Sequence, residues 1–331
     1  MIANQEALHD LNPDQPFLSA VLALFNGEKS GNLYSYMYGE GRSDDAAESS
    51  GEYWHDFLAE THDYYLVREE AAAIQKALEP LSMAIPEGLL SVELGPGDST
   101  ATTLKSLPFN KAIKPAAYMA LDINATYAHD AARTVADALS VPGTGQAADF
   151  IDGPQITHDK PAVYSLFGGL LANIPNIHGV HHLDTLARHL HRIHNMMKPG
   201  DYLVITQDSC RDPRKLHAAY NDPLLARCAL SILHRIEREL PTHNFNPANF
   251  EYAGIYNAAT ENQGLCIRSK KLQTFRIDNH SFVVPAGQII TLINSYKFNP
   301  IDYRHAAQAA GFRPASAMIN HADTNLHILR A

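Results

Sequence analysis

The 331-residue sequence is poor in cysteine, in clustered basic residues and in long apolar runs. Its three cysteines, Cys210, Cys228 and Cys266, have no C-x-x-C spacing, so we expect small buried thiols and neither a disulfide framework nor a zinc–thiolate site. The net charge of −10 without a run of Lys or Arg argues against a nucleic-acid or anionic-membrane partner. No apolar run of about 18 residues and no signal-like N-terminus occurs. We therefore expect a cytoplasmic monomer or weak dimer with a small-molecule partner.

What the sequence does contain is a repeated strand–helix pattern. Four short apolar runs are typical of buried parallel strands, and the segments between them are long enough for helices; the runs lie at residues 89–94, 116–123, 162–168 and 201–207. This repetition predicts an α/β fold with a doubly wound, Rossmann-like parallel sheet.

Helical periodicity is clear in three segments. Residues 68–81 are good helix formers, and Pro80 is predicted to end that helix. Residues 182–197 carry one apolar stripe, and residues 212–240 are predicted to be helical, followed by three strands near 265–269, 273–278 and 289–298. We predict two domains: an α/β domain of residues 70–208 plus 299–331, and a smaller α+β domain of residues 1–69 plus 209–298.

The loop "VELGPGDST" follows the first predicted strand. Gly95 and Gly97 allow the backbone to approach a ligand closely and to adopt positive φ angles. The next strand ends at Asp122, where a carboxylate can accept hydrogen bonds from a ribose diol. Strand, G-x-G turn, helix, strand and terminal acid together predict a nucleoside cofactor.

The residue after the second glycine narrows the choice of cofactor. Asp98 would repel a pyrophosphate, and no Gly-Lys-Ser/Thr sequence follows to form a P-loop. A cofactor without phosphate fits better, and residues 93–98 resemble the first motif of class I S-adenosylmethionine (SAM) methyltransferases. Asp149 and Phe150 are then expected to meet the adenine amino group and ring. The alternative is that these acids only cap helices.

A closer resemblance runs through residues 51–331. The segments "HDYYLVREE", "VELGPGDST", "FGGLLANIP", "LHAAYNDP", "FNPANFEYAGIYN" and "INSYKF" occur in the order found in the histidine-specific methyltransferase family. The resemblance implies a SAM-binding domain and a substrate-binding domain. It also implies methylation of the α-amine of an amino acid.

Carried over by position, the resemblance implies the following residue roles. SAM contacts fall on Gly95, Gly97, Asp122, Asp149 and Phe150. The substrate carboxylate would be bound by Asn173 and Tyr220, with Gly168 in the same loop, and the tyrosines beside the amine would be Tyr64 and Tyr38. No metal is implied.

Three positions depart from the family pattern. A lysine expected near Ala101 is missing, and a threonine is replaced by Arg227, which either binds a second carboxylate or is a solvated helix residue. The glutamate that recognises the imidazole falls on Ile293, although Ser295 is kept. Leu265, Ile293 and Leu230 indicate an apolar or aromatic substrate side chain, with Asn294 and Ser295 offering a polar tip.

We therefore predict N-methylation of an amino acid, or of a metabolite derived from one, other than histidine. The alternatives are an O- or C-methyltransferase of another metabolite and a SAM-binding regulator without turnover. The sequence also holds a histidine-rich stretch, which we interpret as solvated side chains rather than metal ligands; its members are His178, His181, His182, His189, His191 and His194.

Overall fold

The computed structural model describes residues 15–38, 54, 57–58, 60–61, 64–150, 156–159 and 161–331. The chain forms two compact units. The first, which we call the sheet unit, comprises Tyr65–Ala172, Leu183–Arg211 and Lys297–Ala331. The second unit comprises Met1–Tyr64, Asn173–His182 and Asp212–Tyr296, so residues 173–182, which the sequence analysis assigns to the α/β domain, belong to the second unit.

The sheet unit contains an eight-stranded sheet whose centre is parallel. The predicted runs form four adjacent parallel strands, and Thr324–Arg330 joins them in antiparallel orientation. This confirms the predicted α/β, Rossmann-like fold. The strand order is Arg313–Pro314, Thr324–Arg330, Tyr202–Asp208, Ala162–Leu166, Leu90–Leu94, Ala117–Asp122 and Gly143–Ala147, with Ile319–His321 paired to Thr324–Arg330.

One strand of this sheet, Gly143–Ala147, escapes sequence-based prediction because "GTGQA" has no apolar pattern. Its glycines have a packing role against the helix Ala125–Leu139. A Cβ on Gly143 would lie 2.6 Å from the Ala136 Cβ, and one on Gly145 would lie 2.6 Å from the Ala128 carbonyl oxygen. Close contact between helix and strand therefore requires glycine there.

Helices flank the strands of the sheet unit. The first does not end at Pro80 as predicted but continues to Ala84, so the missing N–H of one proline is tolerated within it. Its buried residues form a hydrophobic core with those of Leu107–Ile113 and of the strands. The helices are Leu66–Ala84, Ser99–Ala101, the π-helical turn Thr102–Ser106, Leu107–Ile113, Ala125–Leu139, the 3-10 turn Leu170–Asn173, His182–Met196 and Pro300–Ala309.

The second unit combines helices with small antiparallel sheets. The predicted helical segment 212–240 is divided at Asn221, because Asp222 caps a new helix that starts with Pro223. The helices are Pro16–Phe25, Tyr34–Tyr38, Pro213–Tyr220, Pro223–Glu239 and the 3-10 turn Pro247–Asn249; the strands are Lys29–Ser30, Asn176–Ile177, Thr242–His243, Phe250–Asn257, Asn262–Ser269, Gln273–Ile277, His280–Val284 and Ile289–Ile293. Within the part of the chain described, none of the helices has the length and apolarity needed to cross a membrane.

Candidate active site

The glycine loop of the sheet unit has the backbone geometry that its sequence predicts. Gly95 and Gly97 adopt φ angles of 69° and 71°, a region that residues with a Cβ rarely enter. A Cβ on Gly95 would lie 2.5 Å from Leu170 Cδ1 and 3.8 Å from Phe150 Cε1. The loop backbone, Leu170 and the Phe150 ring thus lie next to one another at the ends of three strands.

The two acids of the loop region have different partners. Asp98 caps the following helix, because its carboxylate accepts a hydrogen bond from Ala101 N at 2.7 Å. Asp122 is buried and accepts from Gly97 N at 3.3 Å and from Asn124 N at 2.9 Å. Burial raises the pKa of the Asp122 carboxyl, while these backbone N–H groups oppose the rise. A carboxylate has acceptor sites beyond these two bonds, so Asp122 can also accept from a ribose hydroxyl.

The pKa of Tyr127 shows that the surroundings of the glycine loop are negatively charged. Burial and the nearby charges of Asp98 and Asp122 raise its pKa to about 12. Negative charge there disfavours a phosphate group and is compatible with a cofactor that carries a sulfonium. Tyr127 was not among the residues singled out from the sequence, although it follows the Asp122 strand by one helical turn.

The third predicted cofactor element follows the strand Gly143–Ala147. Asp149 is exposed and Phe150 is half-buried. Phe150 approaches the glycine loop as described above, so its ring and the Gly95 backbone can border the same planar group. Gly95, Gly97, Asp122 and Phe150 therefore all lie at the carboxyl ends of the parallel strands. Asp149 directly precedes Phe150 in the chain.

A buried carboxyl lies beneath this loop. Glu93, the last but one residue of its strand, is 1% exposed and accepts hydrogen bonds from Ser106 Oγ at 2.8 Å and from Tyr118 OH. Burial raises the pKa of Glu93, although both hydrogen bonds act against the rise. An acidic residue inside an apolar strand indicates that its carboxylate is hydrogen-bonded in the core, because an unpaired buried charge is costly.

Glu70 organises the loop that contains Gly168. Its carboxylate accepts from Gly168 N and from the Thr206 hydroxyl, and its other oxygen lies 3.0 Å from Lys105 Nζ. Glu70 and Lys105 are 1% and 6% exposed. Lys105 lies in the π-helical turn Thr102–Ser106. It follows Ala101, the position near which the family lysine is missing, by one helical turn. The sequence analysis missed this buried pair because its two members are far apart in the chain.

The second unit holds a cluster of four aromatic rings. Tyr64 packs edge-on against Tyr220, with ring centroids 5.7 Å apart, and also contacts Phe57 at 4.9 Å and Trp54 at 5.9 Å. Tyr64 and Tyr220 are 8% and 3% exposed. The two tyrosines to which the resemblance assigns the amine and the carboxylate of the substrate therefore lie side by side.

Tyr220 also meets Ser295, because their hydroxyl oxygens are 3.1 Å apart. The preceding residue, Asn294, is 1% exposed and donates to Ile174 O at 2.9 Å and to Ser30 O at 3.2 Å. Asn294 also accepts from Asn262 at 2.8 Å, so it is a structural clamp and not the polar tip that the sequence suggested. The clamp ties the residue before Ser295 to Ile174, which directly follows the half-buried Asn173.

Leu265 and Ile293 form a buried apolar pair. They lie opposite each other in adjacent antiparallel strands and are 4% and 2% exposed. Gly254 lies opposite Leu265 on its other side, and a Cβ on Gly254 would be 2.6 Å from the carbonyl oxygen of Tyr220. Because cross-strand partners share a sheet face, Leu265 and Ile293 lie on the Tyr220 side of this sheet.

Other predicted residues lie elsewhere or cannot be placed. Arg227 is exposed on the helix Pro223–Glu239, and Leu230 is half-buried on the same helix. The Tyr38 backbone ends the helix Tyr34–Tyr38, but its side chain lies outside the described residues. Tyr36 is held in place, since Arg235 donates to its carbonyl at 2.8 Å and lies 5.7 Å from its ring centroid.

The histidine-rich stretch is not uniformly solvated, which corrects the sequence-based interpretation. His189 is buried on the core face of the helix His182–Met196, and its Nδ1 is 2.9 Å from Thr185 O; burial lowers its pKa. His191 and His178 are exposed, whereas His194 packs against Phe312. Among the described residues, no cluster of His, Cys, Asp and Glu could hold a metal ion. The three cysteines are buried, as expected of small thiols in a core.

The profile of the histidine-specific, SAM-dependent methyltransferase family matches residues 47–331. The chain is 23% identical over 250 residues to the N-methyltransferase fsqC of Aspergillus fumigatus, which covers 73% of this chain and 66% of that protein. It is 24% identical over 269 residues to the histidine N-alpha-methyltransferase of Mycobacterium tuberculosis, which covers 79% of this chain and 78% of that protein. A solved structure, the CurJ carbon methyltransferase, is 14% identical with a TM-score of 0.45, covering 96% of this chain and 68% of that one.

The family match covers the whole sheet unit and the part of the second unit that follows residue 46. SAM is the cofactor of this family. The chain therefore belongs to the family of histidine-specific, SAM-dependent methyltransferases.

Proposed function

We propose that this chain methylates the α-amine of an amino acid, or of a metabolite derived from one, whose side chain is apolar or aromatic and is not an imidazole. The observation that carries the proposal is the buried Leu265–Ile293 pair on the Tyr220 side of the sheet. The resemblance places the imidazole-binding glutamate at Ile293, and an isoleucine cannot accept a hydrogen bond there.

The residues of the sheet unit fit the adenosyl part of SAM. Gly95 and Gly97 form a turn with positive φ angles, Asp122 offers acceptors to a ribose diol, and Phe150 offers a ring to an adenine. When bound, SAM supplies an electrophilic methyl group on a sulfonium whose positive charge also lowers the pKa of a nearby ammonium. The acidic surroundings of the loop suit that charge.

The residues of the second unit suit the polar end of an amino acid. The hydroxyl groups of Tyr220 and Ser295 lie within hydrogen-bond distance of each other and can donate to a carboxylate. Asn173 has an amide for the same purpose, as the family resemblance implies. Tyr64 has a hydroxyl that can accept from an amine and a ring face that tolerates a methylated cation. These residues orient the nitrogen for in-line attack, and no covalent intermediate is required.

The apolar pair sets the expected specificity. An imidazole placed against Leu265 and Ile293 would lose the charge-assisted hydrogen bond that a glutamate provides, at a cost of roughly 1–3 kcal/mol. That cost corresponds to about one to two decades in kcat/KM. An aliphatic or aromatic side chain would gain from burial at the same place.

The names of two relatives support nitrogen as the methyl acceptor, because both are called N-methyltransferases. One of them is named for histidine, and the other name specifies no acceptor. The match spans just under two thirds of the fungal protein, 66% of its length. An O- or C-methyltransferase has no comparable support, and a regulator without turnover would not need the Tyr220–Ser295 pair.

The direct test is a methylation screen. The protein would be incubated with isotopically labelled SAM and each of the twenty amino acids, and then with a metabolite extract, and products would be sought by mass spectrometry as additions of one, two or three methyl units. We expect label on the α-nitrogen of an apolar or aromatic acceptor. Turnover of histidine alone would overturn the substrate assignment, and SAM binding in calorimetry without any product would favour the regulator.

Replacing Ile293 by glutamate is expected to raise kcat/KM for histidine about tenfold or more relative to the apolar substrate, because the carboxylate restores a charge-assisted acceptor. The measurement is steady-state kinetics on both substrates. Ile293→Gln is the matched control, since glutamine has nearly the same shape as glutamate but carries no charge. A folded Ile293→Glu protein with no gain in histidine turnover would contradict the proposed position of the side-chain pocket.

A further inference from the structure

The three-stranded sheet of the second unit has a second face, opposite Tyr220. Leu265 and Gly254 lie on the Tyr220 face, and side chains alternate along a strand. Gly264 and Cys266 therefore lie on the other face, where Thr291 is the cross-strand partner of Cys266. The three residues are in contact distance, since a Cβ on Gly264 would be 2.7 Å from Cys266 Sγ and 3.1 Å from Thr291 Cγ2.

This second face forms the floor of a cleft of about 410 Å³. All of the residues that line it belong to the second unit. Gly264 leaves room for Cys266 Sγ in the floor, and Ile289, which is 39% exposed, adds an apolar wall. The volume is in the range of cavities that bind small molecules.

One wall of the cleft is a stack of three planar rings, His181, His182 and Tyr296. The rings of His182 and Tyr296 are nearly parallel, with centroids 5.3 Å apart and an interplanar angle of 9°. His181 stacks on His182 with centroids 4.3 Å apart and an angle of 29°. His181 is exposed, whereas Tyr296 is 2% exposed, so the stack extends from the protein interior towards solvent.

The rest of the lining offers hydrogen bonds without formal charge. Amide groups come from Asn176 and Asn257, both exposed, and hydroxyl groups come from Thr260 and Thr291. The described residues that line the cleft include no Lys, Arg, Asp or Glu. A charged ligand would therefore find no counter-charge there, whereas a neutral ring with donors and acceptors on its edge would find partners for both its face and its edge.

We propose that this cleft is a second ligand site, which binds a neutral, planar nitrogen heterocycle of the size of a pyrimidine nucleoside. The ring extends the His181–His182–Tyr296 stack, and its edge meets the amide of Asn176. The site lies on the opposite sheet face from the Tyr220–Ser295 pair and shares no residue with the glycine loop. It is independent of the methyl acceptor proposed above.

The test is isothermal titration of uridine into the full chain saturated with S-adenosylhomocysteine, which keeps a nucleoside out of a cofactor site. We expect binding of one uridine per chain. 5,6-Dihydrouridine has a similar hydrogen-bonding edge but a puckered ring, and is expected to bind several-fold more weakly. His181→Ala removes a stacking ring and is expected to weaken uridine binding about tenfold or more. Asn176→Ala is expected to weaken it several-fold.

His178→Ala is the matched control, because His178 is exposed in the same segment but faces a different surface depression, with Asn26, Gly27 and Glu28. It should leave uridine binding unchanged. The proposal fails if uridine shows no binding at millimolar concentration or if His181→Ala binds as tightly as the wild type. It also fails if the uridine affinity depends on whether S-adenosylhomocysteine is present, since binding would then be at the cofactor site.

Discussion

Replacing Lys297 by methionine is expected to lower the free energy of unfolding by about 3–5 kcal/mol. The ammonium of Lys297 lies 2.6 Å from Asp208 Oδ2, and both side chains are almost completely buried. Asp208 also accepts from Tyr65 OH at 2.7 Å and from Cys210 N at 2.8 Å. Without Lys297 the carboxylate keeps these two bonds but becomes a buried charge without a counter-ion.

Chemical denaturation of four proteins measures this effect: wild type, Lys297→Met, Asp208→Asn and the double variant. The double variant should be less destabilised than the sum of the single variants, because it leaves no unpaired charge. Lys114→Met is the matched control, since the Lys114–Glu87 pair is 64% exposed on both sides and should cost less than about 1 kcal/mol. A Lys297→Met protein within 1 kcal/mol of the wild type would show that Asp208 does not depend on Lys297.

Acid is expected to destabilise the sheet unit through His327. This residue is fully buried in the strand Thr324–Arg330, where its ring stacks on Tyr303 with centroids 5.1 Å apart. Neither of its ring nitrogens has a hydrogen-bond partner within the part of the chain that is described. Burial, with a further contribution from the charge of Arg304, lowers its pKa to about 3.

The direction of the pH dependence follows from the two states. Below about pH 6.5 the unfolded chain binds a proton at His327, whereas the folded chain does not do so until about pH 3. The free energy of unfolding is therefore highest above the pKa of His327 in the unfolded chain, about 6.5, and it decreases as the pH falls from there to about 3. The loss amounts to roughly 2 kcal/mol at pH 5 and roughly 4 kcal/mol at pH 3.

Denaturation curves of the wild type and His327→Phe at pH 7 and pH 5 measure this contribution. The variant should lose about 2 kcal/mol less than the wild type between these pH values, because it has nothing to titrate. His129→Phe, which alters an exposed histidine, should behave like the wild type. Equal acid sensitivity of His327→Phe and the wild type would assign the acid destabilisation to other groups.

Much of the fold was accessible from the sequence because the relevant signals are local. Buried parallel strands read as short apolar runs, and Gly95 and Gly97 mark a turn that needs positive φ angles. Predictions from these local patterns were wrong or incomplete where tertiary packing decides the structure. Pro80 lies inside a helix that continues to Ala84, and the strand Gly143–Ala147 is stabilised by a helix at van der Waals contact and not by apolar side chains.

The candidate site divides in the same way. The sequence by itself determined the family, the glycine loop and the substitution at Ile293, since each is a property of consecutive residues. Only the tertiary structure decided that Leu265 lies opposite Ile293, that Asn294 is a clamp, and that Glu70 and Asp208 are held by lysines from distant segments. Buried polar groups must find partners wherever the fold brings them, and those partners are set by the packing of distant segments and not by spacing along the chain.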